Sequence, residues 1–235
     1  MLVFGHGIEE DGPWDGTSPR FNTLPSFSWL RERGVAGVEL DVRLTADDVP
    51  VVVHEWLVAG RPVGEARRSE LPPEIPDLAD ALDVCRGMTV IVELKNFPQD
   101  DGFDPSQRLV HRVLGLLAER GWTDDVVLSS FGVDALAVVR REAPDVRTAA
   151  LLFGREPDPS VLPAVVDAGH RLAHPYDPMV DADFVAVARR LGLELDVWLL
   201  EVPERRYDEL AALGVHGVIT SQVAEALAAA RRHNP

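Results

Sequence analysis

A single cysteine, Cys85, stands among 235 residues, so no disulfide can form within the chain and no cysteine-based metal cluster can be assembled. A reducing compartment is expected. No apolar run approaches the roughly 20 residues needed to cross a bilayer, and the opening Met1-Leu2-Val3-Phe4-Gly5-His6 lacks the basic stretch and apolar core of a secretory leader. These absences predict a cytoplasmic protein with no stable membrane anchor. Positive charge is also scarce: 23 Lys and Arg against 39 Asp and Glu leave a net charge of -16 at pH 7. Such a field repels polyphosphates and anionic membrane surfaces, which excludes nucleic acid as a partner. No linker or low-complexity segment divides the chain, and 235 residues fall short of two domains of about 150 residues each. One domain over residues 1–235 is expected, and 46% hydrophobic side chains are enough to fill its core.

Valine-rich apolar runs recur at Leu2 to Phe4, Gly37 to Val42, Val90 to Leu94, Val126 to Leu128, Thr148 to Leu152, Arg171 to Ala173, Leu195 to Leu199 and Gly217 to Ile219. They read as strands. Between them lie helical patterns at Leu24 to Arg33, Leu78 to Val84, Gln107 to Arg120, Val133 to Glu142, Val161 to Ala168, Ala182 to Arg190, Tyr207 to Leu213 and Val223 to Arg231. Gly34, Gly121, Gly169, Gly192 and Gly214 follow periodic stretches, where a helix ends in the left-handed conformation. Eight units in this length give about 29 residues each, close to one βαβ crossover. The pattern points to an α/β fold, an eight-stranded (β/α)8 TIM barrel, with an open doubly wound sheet sharing the same alternation. Val51 to Val53 follows too closely on the second strand for a helical crossover, so it is expected to form a short hairpin extension. Irregular stretches are expected at Glu9 to Phe21, Gly60 to Pro76 and Phe97 to Pro105; two of them follow strand ends, over the active face of a barrel.

In Gly37-Val38-Glu39-Leu40-Asp41-Val42-Arg43, a period of two sends Glu39 and Asp41 to one face. Inside a barrel they would repel each other unless Arg43 or another base paired with them, or a divalent cation with oxygen ligands sat between them. Val90-Ile91-Val92-Glu93-Leu94-Lys95 adds an acid to an otherwise apolar strand. If the two strands are neighbours, Glu39, Asp41 and Glu93 converge on one hard cation, Mg2+ or Ca2+. Lys95 shares the parity of Glu93 and either neutralises it or touches substrate. His6 and His54 both follow strands, and two imidazoles beside a metal suit proton transfer at neutral pH. His174 also ends a strand, but Pro175 follows it, and a structural role is expected.

These fragments, with Asn22-Thr23-Leu24, Leu44-Thr45-Ala46-Asp47, Pro50-Val51-Val52-Val53-His54, Leu128-Ser129-Ser130-Phe131, Val197-Trp198 and Gly214 to Thr220, fall in one order along the chain. The ordered set resembles the glycerophosphodiester phosphodiesterase family, within the barrel superfamily that includes phosphatidylinositol phospholipase C. The resemblance implies a barrel that cleaves a small glycerophosphodiester to glycerol 3-phosphate and an alcohol. It further implies a divalent metal on Glu39, Asp41 and Glu93, with His6 and His54 as the acid and base pair. By the same analogy Phe131 and Trp198 wall the alcohol side of the pocket, unless they are ordinary core aromatics. There are departures from the pattern. Gly7 follows His6 where the family has arginine, leaving Arg20 and Arg43 as substitutes, and Arg43 has the right parity. Phe21 replaces a glutamate, Glu55 an aspartate, Glu201 an asparagine, and Ser221 stands where Thr-Asp is common. The changes spare the expected metal ligands and gather around the substrate. They leave two alternatives to hydrolysis: a lyase of phospholipase D type that forms a cyclic phosphate, and a catalytically impaired barrel that only binds metal or phosphate.

Overall fold

A computed structural model describes residues 1–6, 21–122 and 124–233. Gly7, Arg20 and the stretch from Glu9 to Arg20, singled out above, lie outside the described residues. The strands are β1 (Leu2–Gly5), β2 (Gly37–Leu44), β3 (Pro50–Val52), β4 (Leu57–Val58), β5 (Arg61–Pro62), β6 (Thr89–Leu94), β7 (Val126–Ser130), β8 (Arg147–Leu152), β9 (Leu172–Pro175), β10 (Glu194–Trp198) and β11 (Gly217–Thr220). The helices are α1 (Leu24–Glu32), α2 (Leu78–Val84), α3 (Arg108–Arg120), α4 (Val133–Glu142), α5 (Leu162–Asp167), α6 (Ala182–Leu191), α7 (Arg205–Leu213) and α8 (Val223–His233). Parallel pairing runs β1-β11-β10-β9-β8-β7-β6-β2 and closes through β1 and β2, giving a (β/α)8 TIM barrel and not an open sheet. β3 returns antiparallel on β2, with Val42 opposite Val52, as the short connection requires.

Alternation along each strand divides the core in two. Val38, Leu40, Val42, Val90, Val92, Leu94, Val126, Leu128, Val197 and Val218 face the surrounding helices. Phe4, Ile91, Val127, Ala149, Leu172 and Ile219 fill the barrel interior. Phe4 fits there because two neighbours have no side chain: a Cβ on Gly37 would lie 3.0 Å from its ring, and one on Gly217 would lie 2.7 Å from it. The helix ends follow the expected glycines, and Gly121, Gly192 and Gly214 cap α3, α6 and α7 at φ of 67°, 70° and 78°.

One part of the expected irregular stretch from Gly60 to Pro76 is ordered. β4 and β5 form a small hairpin that turns on Ala59 and Gly60, both at positive φ. Tight hairpin turns favour Asn or Gly at such positions, and alanine at Ala59 hides the turn from a sequence reading.

Candidate active site

The interior positions above the apolar plug are polar on one side. Glu39 and Asp41 lie on β2 and Glu93 on β6, and the register sets Asp41 beside Glu93. Lys95, just past β6, puts Nζ 2.9 Å from Asp41 Oδ1 and 2.9 Å from Glu93 Oε1. His6 extends β1, its backbone N–H donating to Thr220 O on β11 at 3.0 Å. Its Nε2 stands 3.3 Å from Glu39 Oε2 and 3.4 Å from Asp41 Oδ2. Lys95 therefore both neutralises Glu93 and lines the pocket, so the two roles considered for it are compatible. Ligand atoms of His6, Glu39 and Asp41 lie within 4.8 Å of one another, while Glu93 stands outside that set, beside Lys95.

Asp41 is held by a residue that sequence reasoning did not count as part of the site. Asn22 Nδ2 donates to Asp41 Oδ2 at 2.9 Å, and Asp41 N donates to Asn22 Oδ1 at 3.3 Å. Asn22 adopts φ 55°, a left-handed conformation that asparagine tolerates, and it precedes Thr23, the N-cap of α1. An asparagine directly before a capping threonine is a legible turn signal; its partner 19 residues away is not.

Crowded buried acids make the site's electrostatics. Burial, opposed by His6 and reinforced by Asp41 and Glu93, pushes Glu39 up to about 8. Burial likewise pushes Glu93 up to about 7 against the pull of Lys95. Asp41 goes the other way: burial works against its charge, but the His6 hydrogen bond and Lys95 hold it well below the usual carboxylate range. For His6 burial disfavours the charge, yet Glu39 and Asp41 prevail and lift it to about 9. Lys95 is raised by the same competition, its burial outweighed by Asp41 and Glu93. At His54 desolvation dominates and lowers the imidazole. Three carboxylates face one lysine and one imidazolium, a set that balances at neutral pH only through protons held on Glu39 and Glu93, and Glu39 Oε2 is buried without a hydrogen bond. Clustered oxygen donors that a cation would relieve of those protons, with an orphaned acceptor among them, fit a hard divalent cation.

His6, Glu39, Asp41, His54, Glu93 and Lys95 share a cavity of about 190 Å3 with Ser129, Phe131, Leu151, His174, Trp198, Leu199, Leu200 and Ile219. A second cavity of about 480 Å3 adjoins it through His6 and His54, with Phe21, Asn22, Thr23, Val53, Glu55, Leu57 and Glu74 among its walls. Phe131 and Trp198 thus reach the pocket, with ring centroids 6.3 Å apart in an edge-to-face arrangement. Ser129 Oγ and both His174 ring nitrogens are buried without hydrogen bonds. Neither residue was expected at the pocket, since His174 was read as structural and Ser129 only as part of a motif.

Arg43 is not brought to the pocket. Its parity is right, but its Nε donates to His54 O at 3.0 Å, and its two terminal nitrogens clamp Asp100 at 2.8 and 2.9 Å. A buried guanidinium has to satisfy its donors, and Asp100, in the loop expected at Phe97 to Pro105, meets two of them. Arg43 thus supports the backbone of His54 and leaves no free fork for a phosphate.

The sequence profile of the Glycerophosphoryl diester phosphodiesterase family matches residues 15–225. The chain belongs to that family. A glycerophosphodiester phosphodiesterase of Caldanaerobacter subterraneus subsp. tengcongensis is 23% identical over 220 residues, which cover 85% of this chain and 87% of that protein. Among solved structures, a glycerophosphodiester phosphodiesterase from Parabacteroides distasonis superposes with a TM-score of 0.82 at 22% identity, covering 98% of this chain and 97% of that one. An Oleispira antarctica phosphodiesterase, solved in complex with the product sn-glycerol-3-phosphate, gives a TM-score of 0.81 at 20% identity over 98% of this chain and 96% of that one. The last two likenesses carry the barrel. Family membership makes the protein a glycerophosphodiester phosphodiesterase-like enzyme. Among the described residues no helix is long and apolar enough to cross a membrane.

Proposed function

We propose that this barrel hydrolyses small glycerophosphodiesters to glycerol 3-phosphate and an alcohol, with His6 and His54 moving protons beside a divalent cation, Mg2+ or Ca2+, held by Glu39, Asp41 and Glu93. The observation that carries the reading is the meeting of three carboxylates, Lys95 and two imidazoles in one cavity at the C-terminal ends of the strands. When bound, the cation supplies charge stabilisation for the phosphoryl oxygens. Asn22 fixes the Asp41 carboxylate, and Lys95 bridges Asp41 and Glu93 so that the acids keep their spacing. His54, lowered by desolvation, is neutral at pH 7 and takes the proton of the attacking water as its oxygen bonds to phosphorus. His6 then returns a proton to the leaving oxygen as its bond to phosphorus breaks. Phe131 and Trp198 border the organic part of the substrate. The chain acts as a single barrel domain.

The test is hydrolysis of glycerophosphocholine and of an activated aryl phosphodiester by chelator-stripped protein, with Mg2+ or Ca2+ returned. Activity restored by metal and abolished in Glu39→Gln is expected. His6→Ala should lose about 10²-fold or more on glycerophosphocholine but far less on the aryl ester, whose leaving group needs no acid. Equal losses on both substrates would overturn the role given to His6. In 18O-water the phosphate product should carry the label; an unlabelled cyclic phosphate would establish the lyase instead.

A further inference from the structure

The catalytic cavity holds two buried polar side chains that the chemistry above leaves idle. Ser129 on β7 is 1% exposed and His174 on β9 is fully buried; both line the cavity, and neither Ser129 Oγ nor either ring nitrogen of His174 has a hydrogen-bond partner. Buried polar groups are almost always partnered, so two orphans on one cavity mark a place where a ligand completes them. Register shows what stands beside His174. Ala173 pairs with Leu195 and Tyr176 with Trp198, which sets Asp196 of β10 next to His174, with Nε2 3.5 Å from Asp196 Oδ2. The other carboxylate oxygen accepts from Nδ1 of His216, which precedes β11 at the opposite end of the barrel, at 2.7 Å. Burial opposes the charge on Asp196, but the two imidazoles hold its carboxyl below the ordinary range, so it is ionised and can only accept. Such a neighbour turns the Nε2–H of His174 toward itself and leaves Nδ1 as a bare acceptor.

We infer that Ser129 and His174 form a hydroxyl-binding subsite for the glycerol arm of the substrate, and that Asp196 is the positioning residue that keeps the Nδ1 lone pair of His174 available to it. The inference rests on the reading of the centre given under Proposed function and names the part of the substrate that the centre selects. The chemistry of the ligand follows from the two orphans. Nδ1 needs a donor, while the Ser129 hydroxyl both donates and accepts. A phosphoryl oxygen only accepts, and at Nδ1 it meets a lone pair. A hard cation is better served by Glu39, Asp41 and Glu93. A hydroxyl satisfies both sides, giving its proton to Nδ1 and accepting one from Ser129, and every glycerophosphodiester carries hydroxyls on its glycerol arm. Size agrees. About 190 Å3 is below the roughly 300 to 1,000 Å3 of pockets for drug-sized ligands, so the arm is short, and the head group is left with the larger cavity beyond His6 and His54. An arm without hydroxyls strands two buried polar groups, the circumstance in which a site discriminates most strongly.

The test compares ligands that differ only in those hydroxyls. Native kcat/KM for glycerophosphocholine should exceed that for propylphosphocholine by about 10²-fold or more. His174→Leu should bring the ratio close to one, and Ser129→Ala should reduce it about tenfold. Calorimetry with Mg2+ present should show sn-glycerol 3-phosphate binding at least tenfold tighter than n-propyl phosphate, with the same two variants narrowing the gap. In 15N spectra of histidine-labelled protein, His174 should carry its proton on Nε2, and glycerol 3-phosphate should shift Nδ1 where propyl phosphate does not. Asp196→Asn, which can donate to Nε2, should move the proton to Nδ1 and lower both ratios, a change of tautomer that a merely structural role would not produce. Equal handling of the two ligands by the native protein would overturn the inference, as would a preference that survives His174→Leu, since the hydroxyls would then be held elsewhere. An Nδ1 resonance indifferent to glycerol 3-phosphate would overturn it too, leaving at most a buried water as the partner. If no diester is cleaved, the hydrolase reading fails, and calorimetry and the nitrogen spectra still decide the subsite.

Discussion

On the β1, β2 and β6 side, the mouth of the barrel carries His6, Glu39, Asp41, Glu93 and Lys95, each within 3.4 Å of an oppositely charged partner. Across the opening, β7 to β10 end in Phe131, Phe153, Tyr176 and Trp198, whose contacts are between rings. The first side gathers charge where phosphate chemistry needs it; the second withholds charge, lowers the local dielectric and strengthens every interaction on the first. On the function proposed above, one half reacts and the other selects.

The largest effect expected from breaking this division is in the reacting half. Glu39→Gln should lower kcat/KM for glycerophosphocholine by about 10²- to 10³-fold, and a near-native rate would remove Glu39 from the chemistry. Arg43→Met comes next and tests support beneath the same half. It leaves Asp100 buried without its guanidinium partner, and urea unfolding should show a loss of about 3 kcal/mol. Asn22→Ala removes the clamp on Asp41, and calorimetric titration should show metal affinity weakened about 10- to 100-fold. Across the opening, Phe131→Leu should raise KM about two- to tenfold with kcat nearly kept, since it removes ring contacts and no charge. A collapse of kcat would show that the halves are not separable.

The smallest effect lies under the selecting half, where Asp196 accepts a hydrogen bond from His216 Nδ1 at 2.7 Å. That bond raises His216 above its usual 6.5. Burial alone would raise Asp196, but the close approach of His174, 3.5 Å from its Oδ2, and the hydrogen bond from His216 prevail and lower it. Stability from a raised imidazole is fully present below pH 6.5 and fades as pH climbs through the folded value; that from a lowered carboxylate is present above its ordinary value near 3.8 and fades on acidification. The melting temperature should therefore decline as pH rises past 6.5, and His216→Gln should flatten that decline while leaving metal affinity unchanged.

The two halves also differed in how far they could be read from sequence. Glu39 and Asp41 share a face within three residues, and Glu93 and Lys95 do the same, so local parity was enough to place them. Valine runs and capping glycines similarly gave the eight strand and helix units, with boundaries shifted by one or two residues, as at β2, which continues to Leu44. The stack of Phe153, Tyr176 and Trp198 joins residues at the ends of three strands and has no local signature. Arg43 shows the same limit, since parity gave its direction but not Asp100, 57 residues away, which occupies its fork. Asn22 was visible as part of a turn and invisible as the partner of Asp41. Distance along the chain, more than chemistry, decided what could be inferred.

Barrel closure through β1 has a consequence for biosynthesis. β1 is the first strand made, yet it sits between β2 and β11, and the backbone of His6 is anchored on Thr220. The acids on β2 and β6 leave the ribosome early, but the imidazole that faces them cannot be seated until the last strand has been translated. Any chain that stops short of β11 is left with the acids and without a seated His6. Under the proposed chemistry, completion of synthesis is in this way a condition for activity.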